Sequence, residues 1–356
     1  MFQLPEISPE TRAAARLASG QAVWLHHGGH YYWLVAAEGA APSSLPGISG
    51  QLFITAERAR SLGLDVNSGL AALKLPPRSD TLESLINPLK LAQSEILADF
   101  DAKEVNADHP ANEAMDLVRL AGTLPALIMG PQIGRPPVDA MIYETSPCEK
   151  IHLTKISDVN MPLRAAPNAR ATTYRDNLGA THMAIIVGKP DFSRPPVVRV
   201  HSSCLTGDIL GSLRCDCGDQ LQAALTALSE GEGGILLYLD QEGRGIGLAN
   251  KLRAYELQDR GMDTYAANHA LGFSDDERNM DAAAAMLREM DIHAVRLLSN
   301  NPHKVKMLAD AGIIVKERLP LEITANPHNT AYLSAKAGKG GHVMVGNITE
   351  KKPKKI

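Results

Sequence analysis

Three of the four cysteines in the chain, Cys204, Cys215 and Cys217, lie in one short segment with the spacing C-x10-C-x-C. Thiolates are soft ligands that favour zinc. A structural zinc site closes with four protein ligands, whereas a catalytic site has three and a water. A disulfide with one spare thiol and three unrelated buried cysteines are the alternatives, but C-x-C is a poor geometry for a disulfide. The segment therefore predicts a catalytic zinc with an open fourth position.

The length and charge of the chain narrow its class. Its 356 residues are enough for two domains with a sizeable core. A net charge of −4 gives no electrostatic reason to expect a nucleic-acid or membrane partner. Cys148 stands alone, so four cysteines form no disulfide framework, and we expect a reducing, cytoplasmic setting. The first residues lack the pattern of a signal peptide, and no apolar run reaches membrane-spanning length.

Residues 1 to about 130 predict a mixed α/β unit. The predicted elements are a helix over Pro9–Ala18 with Ser8 as N-cap, a strand pair over Ala22–Ala36 turning at Gly28 and Gly29, a strand over Gln51–Thr55, helices over Thr55–Leu62 and Ala111–Leu120, and a buried strand over Leu124–Met129. His26, His27 and His30 form a cluster without cysteine or carboxylate at ligand spacing. We interpret them as exposed turn histidines and not as metal ligands.

Five glycine and proline residues interrupt regular structure between residues 131 and 155 and predict a linker. Beyond it, strands are predicted over Val197–His201, Gly234–Leu239, Ala294–Ser299 and Ile313–Lys316, and helices over Asp219–Leu228, Leu248–Arg260, Asp275–Met290 and Pro302–Ala311. This alternation predicts an α/β (α+β mixed) fold. The chain ends in a basic segment that we interpret as a solvated tail, not a nucleic-acid arm.

Residues that suit a phosphate group follow several of these strands. The loop Asp240–Gly247 reads DQEGRGIG, in which glycines let backbone amides approach an anion, although a plain turn would also explain them. Ser299–Lys304 reads SNNPHK, at a helix start that suits either a phosphate or an ordinary cap.

Asp276 and Arg278 lie near the start of the predicted helix over Asp275–Met290, where carboxylates can also serve only to complement the helix dipole. Taken with the thiol site and the phosphate-compatible loops, they indicate hydrolysis of a polyphosphorylated small molecule, because zinc activates water and cations neutralise phosphate.

The motifs from residue 155 to 342 resemble the GTP cyclohydrolase II family of riboflavin biosynthesis. They read R-V-H-S-x-C-L-T-G-D, S-L-R-C-D-C-G, Q-E-G-R-G-I-G-L, A-Y-E-L-Q-D-x-G, A-N-H-x-L-G-F-x-x-D-E-R and R-L-L-S-N-N-P-x-K, in that order. The resemblance implies a two-domain zinc enzyme that converts GTP to 2,5-diamino-6-(5-phosphoribosylamino)pyrimidin-4(3H)-one, formate and pyrophosphate, the first step of that pathway. It also implies magnesium on the triphosphate and a cytoplasmic homodimer.

The resemblance assigns roles residue by residue. Cys204, Cys215 and Cys217 would hold the zinc that activates water for attack on C8 of guanine. Arg278 would act on the α-phosphate as a nucleophile or, alternatively, as an electrostatic stabiliser, because arginine stays protonated. Asp276 would accept the proton. Substrate-binding positions are Arg199, Val200, His201, Ser202, Ser203, Gln220 against the base, Glu242, Gly243, Arg244, Tyr255, Thr264, Ser299 and Lys304.

Two positions depart from the family. Ser203 stands where the family often has glutamate, from which we expect altered affinity more than lost activity, and Ser299 replaces a frequent threonine but keeps the hydroxyl. Ser203 is the support for an alternative hypothesis, a non-catalytic homologue that binds a nucleotide or a partner protein.

The first half more faintly resembles 3,4-dihydroxy-2-butanone 4-phosphate synthase. At the place of that family's acidic metal-binding segment the chain reads HHGGHYYW, without a carboxylate. We therefore predict a degenerate, inactive synthase-like domain over 1–135, a linker over 136–154, a GTP cyclohydrolase II catalytic domain over 155–342 and a flexible basic tail over 343–356. A bifunctional enzyme is disfavoured for the same reason.

Overall fold

A computed structural model of the chain describes residues 7–41, 45–46, 49–76, 78–90, 100–144 and 151–321. Within these ranges the chain forms two compact units. The N-terminal unit comprises residues 7–144 together with 243–277, and the C-terminal unit comprises 151–242 together with 278–321. Cys148 and the predicted basic tail lie outside the described residues. No helix within the described ranges has both the length and the apolar character needed to span a bilayer.

The N-terminal unit is built on a seven-stranded sheet in the order β5-β4-β3-β6-β2-β1-β7. Neighbouring strands are antiparallel, except that β1 and β7 run parallel. The elements are α1 Pro9–Ala18, β1 Val23–His27, β2 His30–Ala36, β3 Gln51–Thr55, α2 Ala56–Ser61, β4 Leu70–Lys74, α3 Ser79–Ile86, β5 Lys103–Glu104, α4 Ala111–Leu120, β6 Ala126–Pro131 and β7 Ile142–Glu144.

Apolar side chains alternate along these strands, so each face of the sheet has its own core. One core contains buried residues of α1 and α4 together with Leu25, Leu34 and Phe53. The other contains Trp33, Leu52 and residues of α2 and α3, together with apolar residues that arrive much later in the sequence, from the segment 243–277.

The C-terminal unit is built on a second seven-stranded sheet, in the order β14-β13-β11-β12-β10-β9-β8. Its described elements, with the two helices of segment 243–277 included in the numbering, are β8 Leu153–Asn160, β9 Ala169–Asp176, β10 Thr181–Val187, β11 Val197–Ser202, α5 Cys217–Glu230, β12 Gly234–Leu239, α6 Gly247–Asp259, α7 Thr264–Ala270, α8 Asp281–Glu289, β13 Ala294–Leu298, α9 Pro302–Asp310 and β14 Ile314–Leu319. Strands β14, β13, β11 and β12 are parallel, and β10, β9 and β8 continue the sheet antiparallel.

The central parallel strands carry the chain to one edge of this sheet. Ser202, at the end of β11, is paired with Leu239, at the end of β12, and β13 runs beside β11 in the same direction. Helix α5 covers one face of the sheet, and α8 and α9 cover the other. Loops that follow parallel strands meet at the same edge, which is where open α/β sheets hold their ligands. The thiol segment and the Asp240–Gly247 loop both begin at this edge.

Most of the predicted elements are confirmed. The helix over Pro9–Ala18 has the predicted bounds, and Ser8 caps it by accepting a hydrogen bond from the Thr11 backbone N–H. The strand pair turns at Gly28 and Gly29, both with positive φ. The mixed α/β class is also confirmed.

The predicted helix over Asp275–Met290 is wrong in its start, because α8 begins only at Asp281. The preceding backbone is held by other partners: the Ser274 N–H donates to Glu277 Oε1, and the Asn279 N–H donates to Gln241 Oε1. Asp276 and Arg278 therefore lie in an irregular segment and not in a first helical turn, so dipole complementation does not explain them. The segment predicted as a linker contains the short strand β7. Strands β8 to β10 were not predicted.

Candidate metal centre and active site

Local structure brings the three cysteine thiols together. Cys204 follows β11 and begins a short helical turn over Leu205–Ile209, and Cys217 begins α5. The three sulfur atoms all lie within 4.8 Å of one another, and the Cys204 and Cys215 sulfurs are 3.7 Å apart. Gly207 fits between them: a Cβ there would come within 2.8 Å of the Cys215 sulfur and 3.1 Å of the Cys204 sulfur. A glycine at position 207 therefore leaves the space in which the thiols converge.

The geometry of this cluster fits a metal. Three thiolates on one tetrahedral zinc, with bonds of about 2.3 Å, would lie about 3.8 Å apart. The observed 3.7 Å between Cys204 and Cys215 matches this spacing and is far too long for a disulfide bond. Contact with the Cys204 sulfur raises the pKa of the Cys215 thiol, and burial adds to the shift. A bound cation would reverse that penalty. Histidine, cysteine and acidic side chains are the usual metal ligands. Among the described residues, the three cysteines form the cluster of such side chains that could hold a metal ion.

A buried carboxylate, Asp208, organises the backbone beside Cys204. It accepts hydrogen bonds from the Cys204 backbone N–H at 3.0 Å and from the Tyr238 hydroxyl at 2.9 Å, and lies 3.1 Å from Nε2 of His201. The His201 and Tyr238 rings stack with centroids 5.5 Å apart. Burial lowers the pKa of His201, and burial together with the bond to Asp208 raises the pKa of Tyr238. Asp208 thus links two strands of the sheet to the first thiol.

A second polar chain starts from Arg199 on β11. Its guanidinium donates to the backbone oxygen of Leu298 at 3.0 Å and to Gln220 Oε1 at 2.5 Å, and Gln220 donates in turn to Asp216. Burial lowers the pKa of Arg199 to about 10. Because Asp216 lies between Cys215 and Cys217, this chain connects the predicted base-binding glutamine to the thiol segment.

Four further predicted substrate-binding residues of the C-terminal unit lie at or near the ends of neighbouring strands. Lys304 is buried and donates to the backbone oxygen of Val200 at 3.0 Å, and the Ser299 hydroxyl accepts from the Asn301 N–H at 3.1 Å. Ser202 accepts from the Gln241 side chain. Within the described part of the chain, the buried hydroxyl oxygen of Ser203 has no hydrogen-bond partner.

Two side chains of the Asp240–Gly247 loop tie it to its neighbours in the C-terminal unit. Glu242 Oε2 accepts from the Leu205 backbone N–H at 2.6 Å, immediately after the first thiol. Gln241 Oε1 accepts from the Asn279 N–H at 3.2 Å, immediately after Arg278. The same loop therefore contacts the backbone beside Cys204 and the backbone beside Arg278.

A buried histidine holds the start of this loop. His182 on β10 accepts the Asp240 backbone N–H at Nδ1, with a separation of 3.1 Å, and its Nε2 lies 3.1 Å from Asp176 Oδ2. Both side chains are almost fully buried. The other carboxylate oxygen of Asp176 accepts two backbone N–H groups, from Leu178 and Ala180.

The remaining predicted residues lie in the N-terminal unit, in or beside α6 and α7. Arg244 has a left-handed backbone with φ of 63°, next to Gly243 with φ of 65°, and its guanidinium lies 6.0 Å from the centre of the Tyr265 ring. Tyr255 is on α6, with the Lys251 ammonium 5.9 Å from its ring centre. Thr264 is the first residue of α7. Asp276 lies in the irregular segment before residue 277.

The structure therefore divides the predicted residues between the two units. It also adds residues that the sequence analysis did not name: Asp208, Asp216, Tyr238, Asp176 and His182. Asp208 and Asp216 lie inside the quoted motifs, so their places beside cysteines were a usable signal. Nothing in the sequence marked Asp176 and His182, because their meaning depends on strand pairing.

The predicted histidine cluster lies at the β1–β2 turn. His26 is 3.5 Å from Glu144, and His27 is 3.7 Å from Glu113. His26 also stacks on Tyr31, with ring centres 4.6 Å apart. The side chains of His26 and His27 are thus partly exposed, and each lies beside a carboxylate.

The fold and the site define a mixed α/β protein with a cluster of three thiols, able to hold a metal ion, at the carboxyl edge of a parallel sheet. The GTP cyclohydrolase II family model matches residues 154–320. A protein of Azospirillum brasilense named GTP cyclohydrolase-2 is 38% identical over 358 residues, which cover 94% of this chain and 93% of that protein. The chain therefore belongs to the GTP cyclohydrolase II family.

Shorter relatives match the chain more closely over about half of its length. A GTP cyclohydrolase-2 of Cronobacter sakazakii is 53% identical over 169 residues, 48% of this chain and 86% of that protein. A GTP cyclohydrolase-2 of Azotobacter vinelandii is 55% identical over 166 residues, 47% of this chain and 80% of that protein.

Proposed function

We propose that this chain is an active GTP cyclohydrolase II, which hydrolyses GTP to 2,5-diamino-6-(5-phosphoribosylamino)pyrimidin-4(3H)-one, formate and pyrophosphate, the first step of riboflavin biosynthesis. The observation that carries the proposal is the convergence of Cys204, Cys215 and Cys217 within 4.8 Å of one another. This is the chemistry-bearing feature that a binding homologue would have no reason to keep.

The metal of this centre is proposed to be zinc, held by the three cysteines. When bound, zinc supplies Lewis acidity and an activated water near neutral pH. The chain's own residues prepare the site. Asp208 fixes the Cys204 backbone through the hydrogen bond at 3.0 Å, and Gly207 donates its N–H to the Cys204 sulfur at 3.3 Å. N–H donors to a thiolate stabilise its charge, which favours metal binding over protonation.

Guanine recognition is proposed to rest on Gln220, which Arg199 and Asp216 hold between them. A side-chain amide fixed from both sides presents its remaining donor and acceptor positions in one orientation, which is how a polar edge of a base is distinguished.

GTP is proposed to contact Arg199 to Ser203, Glu242 to Arg244, Tyr255, Thr264, Ser299 and Lys304, with Mg²⁺ bound to the oxygens of its triphosphate. Cleavage at the α-phosphate is assigned to Arg278, with Asp276 as proton acceptor. Because arginine keeps its proton at ordinary pH, electrostatic stabilisation of the phosphoryl transition state is the role that its chemistry favours.

We also propose that the protein is a cytoplasmic homodimer with no nucleic-acid or membrane partner. The domain division is 1–135, 136–154, 155–342 and 343–356, and the first domain is a degenerate synthase-like domain without activity of its own. The absence of carboxylates from HHGGHYYW supports that last point. Formation of butanone phosphate from ribulose 5-phosphate by the purified protein would contradict it.

The decisive experiment compares Cys215→Ser with Cys148→Ser, each incubated with GTP, zinc and magnesium. We expect Cys215→Ser to lose bound zinc and all formate release, because two thiolates no longer close the site, while Cys148→Ser keeps both. Zinc is measured by metal analysis, formate by an enzyme-coupled assay and the pyrimidine by absorbance. Full formate release by Cys215→Ser would refute the metal assignment. Lack of formate from the wild-type protein would refute the proposed function.

A further inference from the structure

We propose that the N-terminal half of this chain is a scaffold that positions α6 and α7, the two helices to which the proposed function assigns GTP contacts. The inference rests on that function and deepens it by naming what the first half does for the reaction. The geometry that carries it lies entirely inside the N-terminal unit.

Apolar packing is the first observation. Residues of the segment 243–277 are buried in the same core as Trp24, Trp33, Leu52 and Ile54. Those residues are Ile246, Ala254, Leu257, Ala267, Ala270, Leu271 and Phe273, and each has less than a tenth of its surface exposed. Because the N-terminal sheet is what covers these side chains, α6 and α7 depend on the first half for their apolar contacts.

A charged pair fixes α6 against the end of β2. The Arg253 guanidinium makes a two-pronged ion pair with Glu38, and Glu38 also accepts the Leu124 backbone N–H at 2.8 Å. Asn250, one turn earlier on α6, donates to the backbone oxygen of Gly122 at 3.2 Å. Two parallel N–H···O bonds from arginine set orientation as well as distance, so this pair controls the rotation of α6.

A second set of contacts fixes the end of α7. Arg58, buried on α2, donates to the Ala270 backbone oxygen at 3.0 Å, where the carbonyl groups of α7 need partners. The Thr55 hydroxyl donates to the Gly272 backbone oxygen at 2.7 Å. Gly272 has a φ of +90°, and a Cβ on it would come within 2.9 Å of Pro125. The chain therefore leaves α7 along a path that the first half defines closely.

Some relatives are too short to contain a counterpart of the N-terminal half. The dependence of α6 and α7 on that half would therefore be a property of longer chains such as this one. The Cronobacter protein aligns with 48% of this chain over 86% of its own length, so it has no room for a counterpart of the N-terminal half. In the present chain the carbonyl oxygens and apolar faces of α6 and α7 are matched by residues that such a protein lacks. The first half is thus part of the substrate-binding apparatus without touching substrate.

The test is a double-mutant cycle on Glu38 and Arg253 in the full-length, zinc-loaded protein. We expect Glu38→Gln and Arg253→Gln each to raise KM for GTP by about threefold to tenfold, the range for mutations that act through a coupling network. The double variant should be no worse than either single one, because both remove the same contact. Zinc content should stay at the wild-type level. Arg253→Lys, which keeps the charge but loses the fork, should lie between.

Hydrogen–deuterium exchange gives a readout independent of turnover. We expect faster exchange in residues 247–270 of Glu38→Gln and unchanged exchange in 197–230. Asp116→Asn is the matched control, because Asp116 forms an ion pair with Arg119 on the outer side of the same half; it should leave both KM and exchange unchanged. An active wild-type enzyme whose Glu38→Gln variant keeps its KM and exchange would overturn the inference. Additive effects in the cycle would overturn it as well. Absence of turnover in the wild type would instead contradict the proposed function, and exchange would still test the scaffold.

Discussion

Nδ1 of His182 accepts the backbone N–H of Asp240 at 3.1 Å, and this contact fixes the tautomer of the ring. An amide can only donate, so Nδ1 must be unprotonated and Nε2 must carry the proton that points to Asp176. The pair joins β9 and β10 to the loop from which Gln241 and Glu242 reach the Arg278 and thiol segments. This buried pair thereby holds the start of the loop that carries Gln241 and Glu242.

We expect Asp176→Asn to reduce kcat/KM for GTP by about tenfold to a hundredfold, because small displacements of catalytic groups have effects of this size. The new amide would keep its oxygen for the Leu178 and Ala180 N–H groups and present an N–H₂ group to the Nε2–H of His182, which places two donors face to face. Steady-state kinetics with metal analysis checks this. Asp191→Asn, an exposed carboxylate that also accepts a backbone N–H, should behave as wild type. Wild-type kinetics in Asp176→Asn would show that the pair serves stability alone.

Stability should fall as the pH decreases from about 6.5, the ordinary pKa of histidine. Burial lowers the pKa of His201, so the folded protein keeps the ring neutral at a pH where the unfolded chain takes up a proton. Unfolding then absorbs a proton, and the free energy of unfolding decreases until the pH reaches the folded pKa. Urea titrations of zinc-saturated protein between pH 7.5 and 5.5 measure this slope. His201→Gln should flatten it, whereas His293→Gln, at an exposed position, should not. Equal slopes in all three proteins would contradict the assignment.

Arg278→Ala should stop pyrophosphate release while zinc stays bound, because the proposed function assigns the metal and the phosphate group to different residues. Arg278→Lys separates the two proposed roles. If the arginine stabilises charge, lysine should retain a measurable fraction of the rate; if it is a nucleophile, a covalent phosphoryl adduct should form only with arginine. Pyrophosphate assays and intact-protein mass spectrometry make the comparison. Normal pyrophosphate production by the alanine variant would remove Arg278 from the mechanism.

Ser203→Glu should tighten the binding of magnesium and GTP more than it changes kcat. The present hydroxyl has no hydrogen-bond partner among the described residues, so its replacement breaks no contact that the structure records. A carboxylate adds an oxygen ligand of the type that Mg²⁺ prefers. The dependence of the rate on magnesium concentration measures the effect, with Ser203→Gln as the uncharged control. An equal response of both variants would exclude a charge effect.

Gly272→Ala should lower the free energy of unfolding by about 1–3 kcal/mol, because the residue has a positive φ and its Cβ would press on Pro125. Gly63 also has a positive φ, of +80°, but a Cβ there meets no atom within 4 Å, so the cost of Gly63→Ala should be about 1 kcal/mol, from backbone strain alone. Chemical denaturation of both variants gives the difference. Equal losses would mean that the close approach at Gly272 relaxes without cost.

Sequence patterns predicted the features that depend on residues close together in the chain. The helix at Pro9–Ala18 could be read from its serine cap and proline start, and the thiol cluster from C-x10-C-x-C, because the partners lie close in the sequence. The late start of α8 could not be predicted. Asp275 to Arg278 resemble a first helical turn, but Gln241, 38 residues away in the sequence, accepts the Asn279 N–H instead.

Candidate site residues could be named from the sequence only where they lie in motifs. His182 and Asp176 acquire their role from the pairing of β9, β10 and β12, which places residues 58 positions apart within hydrogen-bond distance. The association of residues 243–277 with the first half was also beyond prediction. In the sequence, helices α6 and α7 follow the strands of the second half and were assigned to it. Their packing partners in the first half are apolar side chains, which form no motif that would identify the contact.

The return of residues 243–277 to the N-terminal core has a consequence for synthesis on the ribosome. The sheet of the first half is complete by Glu144, but the seven apolar side chains that finish one of its cores are translated only from Ile246 onward. During the intervening stretch the nascent chain presents Trp33, Leu52 and Ile54 to chaperones or to other chains. A premature stop before α6 would leave an aggregation-prone half-protein.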